Sequence, residues 1–178
     1  MSMHVHHSGC GCLPKLSRRG ALGLGFAGAL TAAFPALAEK PEHYDSMLFN
    51  CIDPRFTTFS FNYMAKRDLQ DLYSQFVIAG GPIGAVAPVF ASWGEVFWEN
   101  LAISVQLHTI KRVIGLTHRD CGAAAVAYGD RVKTDRAFET AKNVEALKAF
   151  RAETNKRQPK LAVETGIMAL DGTVEVVA

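Results

Sequence analysis

Apolar residues along this chain fall into short blocks separated by polar turns, and the blocks alternate between strand-like and helix-like lengths. Residues 46–52, Ser-Met-Leu-Phe-Asn-Cys-Ile, predict a short buried strand. Residues 56–74 are less regular: Thr57, Thr58 and Ser60 precede Met64, Leu69 and Leu72, which predicts a loop and a broken helix. Residues 75–79 read as a second short strand, and Gly80-Gly81-Pro82 ends it by forcing a turn. With Pro82, Gly84 and Pro88, residues 82–92 read as an irregular loop. Residues 93–108 then carry the helical period. Trp93, Val96, Phe97, Asn100, Leu101, Ile103, Ser104 and Leu107 fall on one side at 100° per residue. Asn100 and Ser104 lie in the middle of that face, either as satisfied core polar groups or turned toward a site.

A third apolar block, residues 112–117, predicts a strand, followed by a helix of small residues over 122–128. Residues 135–153 predict a further helix with a weak apolar face. Residues 161–168 and 173–177, around Asp171-Gly172, predict a strand and hairpin. Strands alternating with helices define the α/β class, a mainly parallel β-sheet flanked by helices on both faces.

At 178 residues the chain is long enough for one domain with a substantial core. Its formal charge of +2 is unevenly placed. Lys15, Arg18 and Arg19 lie in a leading segment without acids, and removing those three charges leaves −1 for residues 39–178. A near-neutral domain gives no support for nucleic-acid binding or an electrostatic membrane contact. The leading segment itself is similar to a twin-arginine (Tat) export signal. Ser17-Arg18-Arg19-Gly20-Ala21-Leu22 is followed by a Gly/Ala-rich apolar stretch over 21–34, then by Ala36-Leu37-Ala38 as a small-x-small cleavage site. This divides the chain into a signal peptide, 1–38, and a mature domain, 39–178. It implies handling by the Tat translocase and a periplasmic or secreted location. The competing readings are an uncleaved anchor and a helical hairpin of the domain. His4, His6, His7, Cys10 and Cys12 form a cluster able to bind metal, but the simpler reading places them in a leader that is removed.

Beyond residue 38 only Cys51 and Cys121 remain. Both sit where an apolar strand block ends, the position at which open α/β sheets place their ligand sites. Cys51 is followed by Asp53 and Arg55, and Cys121 by Gly122 after His118 at spacing three. Two thiolates and an imidazole can converge on one zinc ion. In an oxidising compartment the same two cysteines can instead form a disulfide. A Tat substrate folds before export, so a metal acquired in the reducing cytoplasm would protect both thiols. The Asp53–Arg55 pair reads either as part of such a site or as an ordinary loop salt bridge.

Cys51-x-Asp53-x-Arg55 followed by His118-x-x-Cys121-Gly122 resembles the β-class carbonic anhydrases, and the similarity extends through Glu99-Asn100-Leu101-Ala102 and residues 112–125. The resemblance implies a β-carbonic-anhydrase-like fold and one zinc per chain, held by Cys51, His118 and Cys121. It also implies reversible hydration of carbon dioxide to bicarbonate by zinc-bound hydroxide, and it allows a homodimer. Asp53 would accept a hydrogen bond at the fourth position, oriented by Arg55, or would itself become the fourth ligand. Two other functions fit the same residues: an exported zinc-binding module with Asp53 closing the site, and a hydrolase of a sulfur analogue of carbon dioxide. The chain departs from the family pattern at three places. Ile78-Ala79-Gly80-Gly81 stands where an Arg-Asn-Ala-Gly-Asn-type segment is usual, the upstream Gln has no match, and the N-terminal arm is nearly absent between Glu39 and Tyr44.

Overall fold

A computed structural model describes residues 43–178. The export signal expected over 1–38, with its His4–Cys12 cluster, lies outside the described residues. In the described part, five strands form one sheet in the order β2-β1-β3-β4-β5. The strands are β1 (Ser46–Cys51), β2 (Tyr73–Ile78), β3 (Arg112–His118), β4 (Ala162–Met168) and β5 (Val174–Val176). Pairing is parallel among the first four, and β5 returns antiparallel onto β4. The helices are α1 (Thr57–Ala65), α2 (Pro82–Val86), α3 (Ala91–His108), α4 (Gly122–Tyr128), α5 (Arg131–Thr134) and α6 (Arg136–Arg157).

β1 is an interior strand, paired on both edges, and all six of its residues are buried. Alternation along a strand sends successive side chains to opposite faces. Met47 and Phe49 therefore join Phe97, Trp98, Leu101 and Phe150 on the α3/α6 face. Leu48 joins Phe56, Met64, Ile114 and Leu116 on the α1 face. The first cluster is built on aromatic rings, with Phe49 stacked on Phe97 at a centroid distance of 3.9 Å. β3 follows the same alternation. Gly115 lies under Phe150, where a Cβ would come within 2.7 Å of the ring, so α6 can cross close to the sheet.

Two expectations are corrected. Residues 82–92 are not an irregular loop: they form α2, a single 3-10 turn over Pro88–Phe90 and the start of α3. Pro82 occupies the first turn of α2, where its missing N–H costs nothing, and buried Ile83 anchors that helix. The second correction concerns the face that α3 buries. Gly94, Phe97, Trp98, Leu101 and Ser104 are buried, whereas Trp93, Val96, Ile103 and Leu107 are exposed. Gly94 makes this possible, since a Cβ there would meet the Ala85 carbonyl oxygen at 2.5 Å. Elsewhere the differences are small. The second strand starts at Tyr73, two residues before the expected 75, and residues 57–65 form one continuous helix rather than a broken one.

Candidate metal centre

β1 and β3 are adjacent parallel strands, so their carboxyl ends open side by side. Cys51 is the last residue of β1 and His118 the last of β3, and Cys121 caps α4 directly after the Arg119-Asp120 turn. The two Sγ atoms and a ring nitrogen of His118 all lie within 4.8 Å of one another, and all three residues are buried. Both cysteines are free thiols, so the disulfide alternative is not the state of this fold.

The imidazole is oriented for a ligand. Its Nδ1 lies 2.8 Å from the main-chain oxygen of Arg119. A carbonyl oxygen can only accept, so Nδ1 carries the proton and Nε2 presents a lone pair. Nε2 is buried and has no hydrogen-bond partner. Burying a polar nitrogen without a partner is costly, and a metal ion is the partner this donor set fits. Phe56 supports the ring from the α1 side at a centroid distance of 4.1 Å.

The thiols differ in their surroundings. Cys51 accepts a hydrogen bond from Cys121, which holds its pKa well below the usual thiol range against the cost of burial, and the backbone N–H groups of Gly80 and Asp53 add to the effect. The Gly80 N–H lies 3.1 Å from Cys51 Sγ. Cys121 is pushed well above the usual thiol range by its pairing with Cys51 and by burial. A dication bound between them would favour two thiolates.

Asp53 and Arg55 stand at the mouth of this cluster. Arg55 donates from Nε to both carboxylate oxygens of Asp53 at 3.1 Å and from Nη2 to Oδ2 at 2.7 Å, while its backbone N–H donates to Oδ1 at 3.0 Å. The guanidinium holds Asp53 below its ordinary pKa, more than offsetting the small penalty of burial. A cleft of about 340 Å³, lined by Cys51, Ile52, Asp53, Pro54, Ala79, Gly122 and Ala123, leads to this point. Another cleft of about 360 Å³ lies among α2, α3 and α6, but its charged residues Glu95, Glu153 and Arg157 pair with one another. It brings no set of metal ligands together.

Cys51, Asp53, Arg55, His118 and Cys121, the residues of the two site motifs, thus lie together at the ends of β1 and β3. Asn100 and Ser104 do not: Asn100 donates to Val96 O of its own helix at 2.8 Å, and buried Ser104 faces Ser74. Two further participants were not singled out in the sequence. Asp120 accepts from Arg55 Nη1 at 2.8 Å, and the buried carboxylate of Glu139 accepts from the Asp120 N–H at 2.7 Å. Asp120 lies inside the His-x-x-Cys spacing and was visible there as an acid. Glu139 is brought from α6 by the fold alone.

No family model matches the chain. It is 28% identical over 130 residues to an uncharacterised protein of Rickettsia conorii, covering 73% of this chain and 70% of that one. An uncharacterised protein of Rickettsia bellii matches at 28% over 130 residues, 73% of this chain and 79% of that one. Among solved structures, the β-carbonic anhydrase CafA of Aspergillus fumigatus aligns with a TM-score of 0.50 at 16% identity, covering 76% of each chain. A point mutant of the β-carbonic anhydrase CafD of the same fungus aligns with a TM-score of 0.50 at 12% identity, covering 79% of this chain and 92% of that one. The five-stranded, mostly parallel sheet with its flanking helices is the α/β fold of β-carbonic anhydrases, and it carries a buried Cys-His-Cys cluster at the strand ends.

Proposed function

We propose that this chain is a zinc-dependent, carbonic anhydrase-like lyase that interconverts carbon dioxide and bicarbonate. The observation that carries the reading is the unpartnered, buried Nε2 of His118, facing two free cysteine thiols from the neighbouring strand end and its turn. Cys51, His118 and Cys121 would hold one zinc ion per chain, which supplies the Lewis acidity that makes water nucleophilic near neutral pH. Two thiolates and a neutral imidazole cancel the charge of the dication, so a carboxylate at the mouth of the site is useful to accept a proton. Asp53 supplies it, and Arg55 keeps it ionised and turned away from the ligand set by a charge-assisted fork. The cleft bounded by Ile52, Ala79 and Ala123 is mostly apolar and suits a small nonpolar gas.

The test is direct. Zinc-loaded protein should hydrate carbon dioxide in a stopped-flow assay. Asp53→Asn should keep about one zinc per chain and lose roughly 10²–10⁴ in turnover, the range for a positioned proton acceptor. Wild-type protein that carries zinc but works no faster than free zinc would leave a non-catalytic zinc-binding module as the better account.

We also propose a homodimer and export by the Tat route. β2 is an edge strand with Val77 exposed, and α3 beside it shows Trp93, Val96, Ile103 and Leu107 to the outside. A second copy related by a twofold axis would pair this unpaired edge and cover the apolar stripe beside it. Light scattering at micromolar concentration should give twice the mass of the 39–178 chain; a monomer would refute it. For export, replacing Arg18 and Arg19 with Lys should leave precursor in the cytoplasm, and secretion unchanged in a strain lacking the Tat translocase would refute it.

A further inference from the structure

Arg55 is gripped from two sides. Its Nε edge faces Asp53, two residues beyond Cys51. Its other edge faces Asp120, the residue before Cys121: Nη1 donates to Asp120 Oδ2 at 2.8 Å and Nη2 to the Asp120 carbonyl oxygen at 3.0 Å. The second grip is itself held from inside the protein. Asp120 has a left-handed backbone, φ +56°, and gives its N–H to the buried Glu139 carboxylate. Glu139 in turn accepts from Arg119 Nη1 at 3.3 Å and from Arg136 Nη1 at 3.2 Å, and Arg119 also donates to Thr140 Oγ1 at 2.6 Å. The turn carrying Asp120 is therefore anchored to α6, whereas the Arg55 side chain is about half exposed and belongs to a short turn.

We propose that Asp120 is a positioning residue: it holds Arg55 in the plane in which Arg55 grips Asp53, and so keeps Asp53 off the metal centre of Cys51, His118 and Cys121. The inference rests on the zinc reading above. A guanidinium tied only to a carboxylate two residues away keeps much of its rotamer freedom, and a cation nearby competes for that carboxylate. Fixing the far edge of the fork with a second carboxylate and a main-chain oxygen removes that freedom. Because Arg55 and Asp120 are both largely exposed, the pair is a modest lever. Removing it should shift the balance between Asp53 held by Arg55 and Asp53 on the metal by about twofold to fivefold.

The test uses the full domain with Co(II) in place of zinc, since its visible spectrum reports the fourth ligand. Asp120→Gly suits the left-handed backbone and retains the Asp120 N–H and carbonyl, so it removes the carboxylate alone. Arg55→Ala supplies the reference with Asp53 on the metal, and Asp53→Ala the reference without that carboxylate. The spectrum of Asp120→Gly should move part of the way from wild type toward Arg55→Ala, Asp120→Asn should lie between, and the double variant with Asp53→Ala should match Asp53→Ala alone. Turnover in Asp120→Gly should fall about twofold to fivefold with KM unchanged.

A metal-loaded Asp120→Gly with the wild-type spectrum overturns the proposal. So does weakened metal binding with no spectral change, which marks a merely structural role. A wild-type spectrum equal to that of Arg55→Ala overturns it as well, since Asp53 would then never be held away. Failure of the wild type to take up one Co(II) per chain sinks the metal reading itself. Metal uptake without carbon dioxide hydration sinks only the proposed reaction, and the spectra still decide the role of Asp120.

Discussion

Replacing Gly81 with alanine should destabilise the domain and weaken the metal centre together. Gly81 has φ +53° and ψ −121°, a region that residues with a Cβ rarely occupy. The added carbon would lie 2.9 Å from Asn50 C, 3.0 Å from Asn50 Cα and 3.1 Å from Cys51 N. Those atoms belong to the backbone of β1, which is hydrogen-bonded on both edges and cannot give way. Dihedral strain of this kind costs about 1–3 kcal/mol. Overpacking against rigid structure adds about 1–3 kcal/mol, and the combined loss is a large part of the ~5–15 kcal/mol available to a domain. Relief requires the Gly80–Gly81 turn to move away from β1, which draws the Gly80 N–H off Cys51 Sγ. Gly129→Ala is the control: φ is +86° there, yet nothing lies within 4 Å of the added carbon. Urea unfolding of metal-free protein should show Gly81→Ala less stable than Gly129→Ala by about 1–3 kcal/mol. A chelator competition should show lower zinc affinity in Gly81→Ala alone. If the two variants unfold within about 0.5 kcal/mol of each other and bind zinc equally, the claim that this turn is packed against the metal-bearing strand is wrong.

His118→Ala or Cys121→Ala should bring zinc from about one per chain to near zero by elemental analysis, and should abolish the rise in melting temperature that added zinc gives the wild type. Glu164 is partly buried, which raises its pKa, but hydrogen bonds from Arg112 and Arg67 outweigh this and hold it below its ordinary value. A depressed carboxylate contributes stability that is present above its unfolded pKa and is lost as pH falls through the folded one. Glu164→Gln should therefore cost about 1 kcal/mol at pH 7, and urea midpoints of variant and wild type should converge below about pH 4; a gap that persists in acid would refute the ion-pair account.

Much of the site was legible in the sequence because parallel strands in an open α/β sheet announce their ends. The blocks 46–52 and 112–117 end beside Cys51 and His118, and the structure joins β1 and β3 as neighbours with Cys51, His118 and Cys121 within one ion's reach. The hairpin about Asp171-Gly172 was equally local, since the turn residues specify it. The fold class followed from the alternation of strand and helix blocks.

Other features belonged to the tertiary structure alone. α2 is too short, at five residues, for a period to show, and its Pro and Gly read as breakers although Pro82 starts the helix and Gly84 lets it approach Ala79. α3 is apolar on two stripes, one through Trp93, Val96, Ile103 and Leu107 and one through Phe97, Trp98 and Leu101. Periodicity sums both and cannot say which one meets the sheet; Phe49 and Phe150, distant in the chain, decide it by stacking on Phe97 and Trp98. The grip of Asp120 on Arg55 and of Glu139 on the Asp120 backbone is of the same kind. Hydrogen bonds between residues 65 and 19 positions apart leave no pattern in a single chain. They exist only because the sheet sets two strand ends side by side and α6 folds back over the turn that joins β3 to α4.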